Sequence, residues 1–175
     1  PALIEAAGKL SEVPLILIDH PKFKTVENLI AFSESLACEK PISLIVIDHI
    51  QRLRSRKKLQ SRHHELSWVS EQISSMASVL NVPVIVLCQL RRDSGGRLNP
   101  KPRLEDMKES GDLEQNADQV WGLWRCNLEA EDAELFCLKG RDTGTWHTWL
   151  RMDRFIQAFY DSDGPVEAAV REDFD

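Results

Sequence analysis

Two polar residues stand at the ends of apolar runs, where a side chain can do chemistry while the run itself stays buried. Asp48 ends the run at residues 42–48, and Gln89 directly follows the run at residues 82–88. A carboxylate in this position can reach the Mg²⁺ of a bound nucleotide, which is the task of a Walker B strand. Many buried strands also end in Asp only to cap the next turn, so the pattern alone leaves both roles open.

A phosphate-binding loop is the other part that a nucleotide site needs, and its motif is absent from the 175 residues. The motif is Gly-x-x-x-x-Gly-Lys followed by Ser or Thr. The only Gly-Lys pair is Gly8-Lys9, where Leu3 replaces the first glycine and Leu10 replaces the hydroxyl residue. We therefore expect this pair to end a helix, a place where glycine is common.

The elements that must position these residues alternate along the first half of the chain. Residues 13–18, 42–48 and 82–88 are predicted buried strands, and residues 25–38 are a predicted helix with Thr25 as its N-cap. Such alternation requires a mostly parallel sheet flanked by helices, whose ligands bind at the carboxyl ends of the strands. The second predicted helix carries apolar residues at helical spacing: Leu66, Val69, Ile73, Met76, Ala77 and Leu80.

The second half of the chain changes to shorter strand-like runs. A strand is predicted at residues 117–124, and the runs within residues 134–160 are separated by turns at 140–144 and 153–154. This spacing predicts an antiparallel C-terminal extension of the sheet. We expect one domain over residues 1–160 and a loose acidic tail over residues 161–175. The tryptophans of these strands are expected to pack in the core or between subunits rather than to stack on bases.

Basic residues are concentrated in two windows although the net charge is −6. Such segregation can direct a polyanion to one surface, although two merely solvated loops would give the same pattern. No apolar run reaches the roughly 18 residues of a membrane span. The first window holds six basic residues: Arg52, Arg54, Arg56, Lys57, Lys58 and Arg62. The second holds five: Arg91, Arg92, Arg97, Lys101 and Arg103.

Two segments that contain the predicted strand ends resemble nucleotide-site motifs of the DnaB family of replicative DNA helicases. Residues 44–53 resemble the family's Walker B segment, with His49 in place of the usual tyrosine. Residues 81–92 resemble the family strand that ends in Ser-Gln-Leu-Asn-Arg, and here Cys88 and Arg91 depart from the pattern.

Two further segments follow in the family's order. Residues 106–118 read Asp-Met-Lys-Glu-Ser-Gly-Asp-Leu-Glu-Gln-Asn-Ala-Asp and are similar to Asp-Leu-Arg-Glu-Ser-Gly-Ser-Ile-Glu-Gln-Asp-Ala-Asp of the family. Residues 138–144 are similar to its Lys-x-Arg-x-x-Gly turn. Glu114 and Asp118 of the longer segment have a plainer alternative role, which is to cap short helical turns.

The resemblance implies a role for each matched position. Asp48 would serve the metal, and Gln89 would sense the γ-phosphate. Lys139 and Arg141 would act on the nucleotide of the neighbouring subunit, and both should leave the same side of the sheet edge because they are two residues apart. Asp142 is the only nearby residue that could neutralise Arg141, and it points the other way if the strand continues. Lys108, Glu109 and Gly111 match the family's loop that holds single-stranded DNA. Arg97, Lys101 and Arg103, from the second basic window, are also expected to contact DNA on the basis of their charge.

The expected fold is therefore an α/β, RecA-like P-loop NTPase core whose N-terminal part, with the phosphate-binding loop, lies upstream of this chain. The resemblance implies a homo-hexameric helicase that uses ATP and Mg²⁺ to translocate on single-stranded DNA and unwind duplex DNA. Primase and a helicase loader are candidate partners, and the setting is the cytoplasm of a bacterium, with a bacterial or phage gene. The chain alone is expected to lack ATPase activity. The alternatives are a RecA-like recombinase or related ATPase, and a non-enzymatic remnant that binds single-stranded DNA or a replication partner.

Overall fold

The second predicted helix is present, and most of its predicted apolar stripe is buried. The computed structural model of the chain describes residues 2–90, 101–107, 111–127 and 129–165. Helix α3 (Arg62–Leu80) begins at Ser61, whose hydroxyl accepts a hydrogen bond from the backbone N–H of His64. It ends at Asn81, which adopts the left-handed conformation with φ 51°. Four of the six residues of the predicted stripe are at most 4% exposed, and they are Leu66, Val69, Ile73 and Met76. Ala77 and Leu80 are half-buried.

Two further helices precede α3 in the chain. Helix α2 (Val26–Glu39) confirms the predicted helix, although the Thr25 hydroxyl at its N-cap makes no capping hydrogen bond. Helix α1 (Ala2–Glu12) contains Gly8 and Lys9 in its interior, so the prediction that this pair ends a helix is wrong. The Lys9 ammonium lies 2.8 Å from the carboxylate of Glu5, an i,i+4 pair that favours continued helix. No helix of the described residues has the length and apolarity that crossing a membrane requires.

The predicted parallel pairing is present, between strands shorter than predicted. β1 (Ile45–Ile47) pairs in parallel with β2 (Val84–Val86), and Ile47 stands opposite Val86. The pairing continues past the strands, since Leu87 N–H donates to the Ile47 carbonyl at 2.9 Å. Because α3 connects the two strands, their carboxyl ends lie at the same edge of the sheet.

The strand predicted at residues 13–18 is wrong. These residues form neither helix nor strand, and the Leu17 side chain is 81% exposed. A β-strand exists only where another strand exchanges backbone hydrogen bonds with it. Here the backbone bonds instead with near neighbours in the chain, as Leu15 N–H does with the Val13 carbonyl at 2.7 Å. An apolar run is therefore not sufficient to make a strand.

The antiparallel extension is confirmed as a four-stranded sheet. Its strands follow one another in chain order, and in the described residues the sheet is separate from β1–β2. Helix α4 (Gly111–Asn116) leads into it. The strands are β3 (Gln119–Trp124), β4 (Asp132–Gly140), β5 (Trp146–Asp153) and β6 (Ala158–Ser162). The sheet thus continues two residues past the boundary predicted at 160, and most of the predicted tail, residues 166–175, lies outside the described residues.

Candidate functional site

The carboxyl edge of the parallel sheet presents the two residues predicted to serve a nucleotide. Asp48 directly follows β1, and its side chain is 75% exposed, with one carboxylate oxygen 3.5 Å from the ring nitrogen Nδ1 of His49. Gln89 lies three residues beyond β2 and is exposed. A strand end of this kind holds a polar side chain in solvent on a rigid, apolar support.

Gln51 joins the two strand ends, a function that the sequence analysis missed. Its amide nitrogen donates to the Gln89 carbonyl at 3.2 Å, and its amide oxygen accepts from Gln89 N–H at 3.2 Å. The same nitrogen lies 3.1 Å from the sulfur of Cys88. Burial raises the pKa of the Cys88 thiol, and the bond from Gln51 only partly opposes that effect. The sequence signal was an amide three residues after Asp48, but its partner is 38 residues away in the chain.

The side chains at this edge fit a Mg²⁺ ion that takes most of its ligands from water and a bound nucleotide. Mg²⁺ is held in nucleotide enzymes by one or two carboxylates together with water and phosphate oxygens. Asp48 offers one exposed carboxylate, and Gln89 offers a neutral amide. These residues suit a metal ion that arrives with a nucleotide, because they are too few to enclose one themselves.

The first basic window lines an open groove of about 400 Å³ at the start of α3. Glu65 lies within it and is hydrogen-bonded by the guanidinium groups of Arg54, at 3.1 Å, and Arg62. Burial acts to raise the pKa of Glu65, but the backbone N–H of Ser55 and both arginines outweigh it and lower that pKa. The groove therefore keeps an ionised acid that orients two of its cations. Its other basic residues are Arg56, Lys57 and Lys58, all exposed.

Lys101 of the second basic window is bound to the antiparallel sheet. Its ammonium is 2.6 Å from Glu134, a carboxylate only 2% exposed, which also lies 3.0 Å from Nε2 of His147. The ammonium stands over three aromatic rings, at 5.3 Å from the centroid of Trp124, 5.4 Å from that of Phe136 and 6.0 Å from that of Trp149. A contact of Lys101 with DNA would therefore compete with a buried ion pair and with cation–π contacts.

Lys139 and Arg141 both turn toward the segment that ends α4. The Lys139 ammonium donates to the carbonyls of Glu114, Gln115 and Ala117. The expectation that both cations leave one side of the sheet edge agrees with these shared contacts. Within the described residues, neither cation is hydrogen-bonded to the strand ends at β1 and β2.

A carboxylate that the sequence did not indicate lies beside Arg141. The guanidinium lies 2.7 Å from Asp118, 23 residues earlier in the chain, and not beside the adjacent Asp142. The expectation that no nearby residue other than Asp142 could neutralise Arg141 is wrong, because the antiparallel register of β3 and β4 sets Gln119 opposite Gly140 and so brings Asp118 beside Arg141. A side chain at Gly140 would clash with the Gly144 carbonyl, so the turn at Gly140 requires glycine.

The predicted DNA contacts are not all described by the structure. Three of the six lie outside the described residues, and they are Arg97, Lys108 and Glu109. Gly111 begins α4, and Arg103 is exposed, with its guanidinium 3.3 Å from Glu105. The structure therefore brings together Asp48 with Gln89, and Lys139 with Arg141, as two separate groups.

Comparison with known proteins agrees with the motifs and the fold. The family model of the DnaB-like helicase C-terminal domain matches residues 1–161. The chain belongs to the DnaB-like helicase C-terminal domain family. The family predicted from the four sequence segments is thereby confirmed.

Individual relatives of this DnaB-like domain are similar over most of the chain. A replicative DNA helicase DnaB from Mycobacterium intracellulare is 38% identical over 118 residues, 67% of this chain and 20% of that protein. A solved DnaB-like replicative helicase, described with its interactions with primase, has a TM-score of 0.80 at 28% identity, over 87% of this chain and 39% of that one. A solved ATPase domain has a TM-score of 0.84 at 27% identity, over 92% and 59%. These likenesses confirm the RecA-like α/β fold.

The DnaB-like domain accounts for only part of its relatives. The chain spans about a fifth to a third of the length of the curated relatives that it matches. Activities of those longer proteins therefore enter below as proposals.

The ionised Glu65 should make part of the stability of the domain depend on pH. Its pKa is lowered in the folded state, so its contribution is complete above the ordinary carboxyl pKa and is lost as pH falls through the lowered value. We expect the unfolding free energy of the wild type to exceed that of Glu65→Gln at pH 7, and the difference to shrink between about pH 5 and pH 3 in urea titrations. Glu71→Gln, an exposed change on the same helix, should show a difference below about 0.5 kcal/mol throughout. A Glu65→Gln difference that persists in acid would contradict this assignment.

Lys101 should matter for stability more than a surface lysine does. Lys101→Met leaves the buried Glu134 carboxylate with His147 as its remaining partner, so we expect a loss of about 1–3 kcal/mol in unfolding free energy. The matched control is Lys9→Met, which removes an ion pair whose side chains are 76% and 69% exposed and should change stability by less than about 0.5 kcal/mol. Chemical denaturation of the two variants at neutral pH makes the comparison. Equal effects would show that the Glu134 pair is not a stabilising anchor.

Proposed function

We propose that this domain is part of the motor of a hexameric replicative DNA helicase that hydrolyses ATP, moves along single-stranded DNA and unwinds duplex DNA. The observation that carries the proposal is the presence of Asp48 and Gln89 at one carboxyl edge of a parallel sheet, in a member of the DnaB-like family. Relatives similar to the chain are named replicative DNA helicases. A polar strand end of this kind is where α/β folds bind their ligands.

Asp48 is proposed to contact the metal that accompanies ATP. Mg²⁺ would supply positive charge to the transferring phosphoryl group. Asp48 is suited to orient it because the residue follows a strand that is paired on β2, while its own carboxylate stays exposed. The phosphate-binding loop is expected from sequence outside these residues, so the 175-residue chain alone is expected to lack ATPase activity.

Gln89 is proposed to sense the γ-phosphate. Its backbone is bonded to the amide of Gln51 in both directions, so a displacement of Gln89 also displaces the turn that follows Asp48. The Leu90 position beyond it pairs with Met107, just before the predicted DNA contacts Lys108 and Glu109. This continuity supports a connection by which a displacement of Gln89 reaches the predicted DNA-binding residues.

Lys139 and Arg141 are proposed to act on the nucleotide of the neighbouring subunit. Both cations lie on the α4 side of the antiparallel sheet and make their described hydrogen bonds there, away from Asp48 and Gln89. Positive groups supplied across an interface stabilise the charge that develops on the transferring phosphoryl group. A role of this kind needs a neighbouring subunit, which the proposed homo-hexamer would provide.

Single-stranded DNA is the proposed polyanion. The groove of the first basic window and the predicted contacts Arg97, Lys101, Arg103, Lys108, Glu109 and Gly111 would hold its phosphates. Of these, Lys101 is the least suited in the described structure, because its ammonium is bound to Glu134.

Primase is a proposed partner, since a structural neighbour is described with its interactions with primase. A helicase loader and a bacterial cytoplasmic setting complete the proposal.

Arg141→Ala in the hexameric helicase should leave ATP binding nearly intact and lower turnover by about 10³–10⁵. The residue makes no described hydrogen bond with its own strand ends, so the loss should arise at the neighbouring site. Mixing Arg141→Ala subunits with Asp48→Ala subunits should restore part of the activity, because some interfaces then join an intact cation to an intact metal residue. The measurements are ATP turnover and strand displacement of the separate and mixed hexamers. Full turnover by the Arg141→Ala hexamer would remove the trans role.

Loss of charge in the basic groove should change the salt dependence of DNA binding. Lys57→Ala and Lys58→Ala, made together in the hexamer, should flatten the slope of log affinity against log salt by about 0.7 for each DNA phosphate that the protein no longer neutralises. Both side chains are exposed in the groove. Lys9→Ala provides an exposed control on α1 and should leave the slope unchanged. Fluorescence anisotropy with a labelled oligonucleotide tests this, and identical slopes for all three proteins would exclude the groove as a DNA-binding surface.

A further inference from the structure

The carboxyl end of α4 binds two cations in different ways. Lys139 donates to backbone carbonyls alone, including that of Ala117 at 2.9 Å, and so caps the helix end. Arg141 donates to the Gln115 carbonyl at 3.3 Å and to the side chain of Asp118 at 2.7 Å. The backbone N–H of Arg141 also donates to the Asp118 carbonyl, at 2.9 Å. Asp118 therefore fixes both the backbone and the guanidinium of the same residue.

This end of α4 is itself anchored to the core. Leu113 packs against the buried cluster that α3 forms, and the Asn116 amide donates to the Ser70 hydroxyl at 3.2 Å. Ser70 is 8% exposed. Asp118 then leads directly into β3, where Gln119 pairs with Gly140. The orientation of Arg141 is therefore set relative to the domain core and not by a mobile loop.

We infer that Asp118 is a positioning residue that aims the Arg141 guanidinium, while Lys139 maintains the helix end on which both rest. The inference rests on the trans role proposed for Arg141. A long arginine side chain loses much conformational freedom when it acts at a fixed point, and a partner that orients it beforehand reduces that loss. Lys139 has its ammonium surrounded by carbonyls, whereas Arg141 is 56% exposed and paired with a carboxylate that is 77% exposed. Of the two cations proposed to act in trans, Arg141 is thus the one that is both oriented and accessible, whereas Lys139 would act only after releasing these carbonyls.

Asp118→Ala in the hexameric helicase should lower kcat for ATP by about 10- to 100-fold, as misplacement of a reacting group does, with KM for ATP and DNA affinity unchanged. Asp118→Glu should restore part of kcat, because it returns the carboxylate on a longer arm. Asp118→Asn, which keeps an acceptor oxygen without the charge, should have a kcat between those of Asp118→Ala and Asp118→Glu. The matched control is Asp142→Ala, the exposed carboxylate next to Arg141 in sequence, which should retain wild-type kcat.

A mutant cycle separates this inference from the proposal beneath it. In the Arg141→Ala background, Asp118→Ala should lower kcat no further, because nothing is left for it to aim. A further loss in that background would show that Asp118 acts independently, and would overturn the inference. Wild-type or raised kcat in Asp118→Ala, with Arg141→Ala inactive, would overturn it while leaving the trans role in place. Full activity of Arg141→Ala would remove the trans role itself. If Asp118→Ala does not assemble, Asp118→Asn and Asp118→Glu give the same comparison.

Discussion

The apolar stripe of α3 is the interaction on which the other described elements depend. Two parallel strands of three residues each cannot persist alone, since even a longer two-stranded pair is marginal in water. Each fully buried aliphatic side chain of the stripe contributes about 1.5–3 kcal/mol, whereas an exposed ion pair contributes less than about 1 kcal/mol. The same stripe packs against Leu113 of α4. The carboxyl edge of β1 and β2, and the end of α4 that holds Lys139 and Arg141, are thus both positioned by one helix.

Carboxylates orient many of the basic side chains in this acidic domain. Glu65 holds two arginines of the basic groove, Glu134 holds Lys101, and Asp118 holds Arg141. The three acids differ in burial, and that difference decides what each can do. A carboxylate that is 2% exposed ties its lysine to the sheet, because separating the pair would leave a buried charge. A carboxylate that is 77% exposed can orient an arginine and still let it exchange partners.

The sequence predicted what local periodicity determines. Helices α2 and α3, the parallel pairing and the antiparallel hairpins follow from apolar spacing and turn residues, and the family follows from four short motifs. Apart from the Gly8-Lys9 pair, which lies inside α1 rather than at its end, the failures concern groups whose partners are distant in the chain. Residues 13–18 have strand-like composition but no neighbouring strand among the described residues, and Arg141 pairs with Asp118 rather than Asp142. Gln51 gave only a weak local sign, an amide three residues after Asp48, because the backbone groups of Gln89 that it bonds are 38 residues away in the chain.

The thiol of Cys88 lies where the amide of Gln51 bridges the two strand ends. Because burial raises its pKa, little of it is thiolate at neutral pH, and alkylating reagents react with the thiolate. The exposed thiols Cys38 and Cys126 belong to the same chain and experience the same reagent. The sequence thus contains its own chemical probe of the carboxyl edge of β1 and β2. The ratio of alkylation rates at Cys88 and at the exposed thiols reports how often the bridge opens, without a label being introduced.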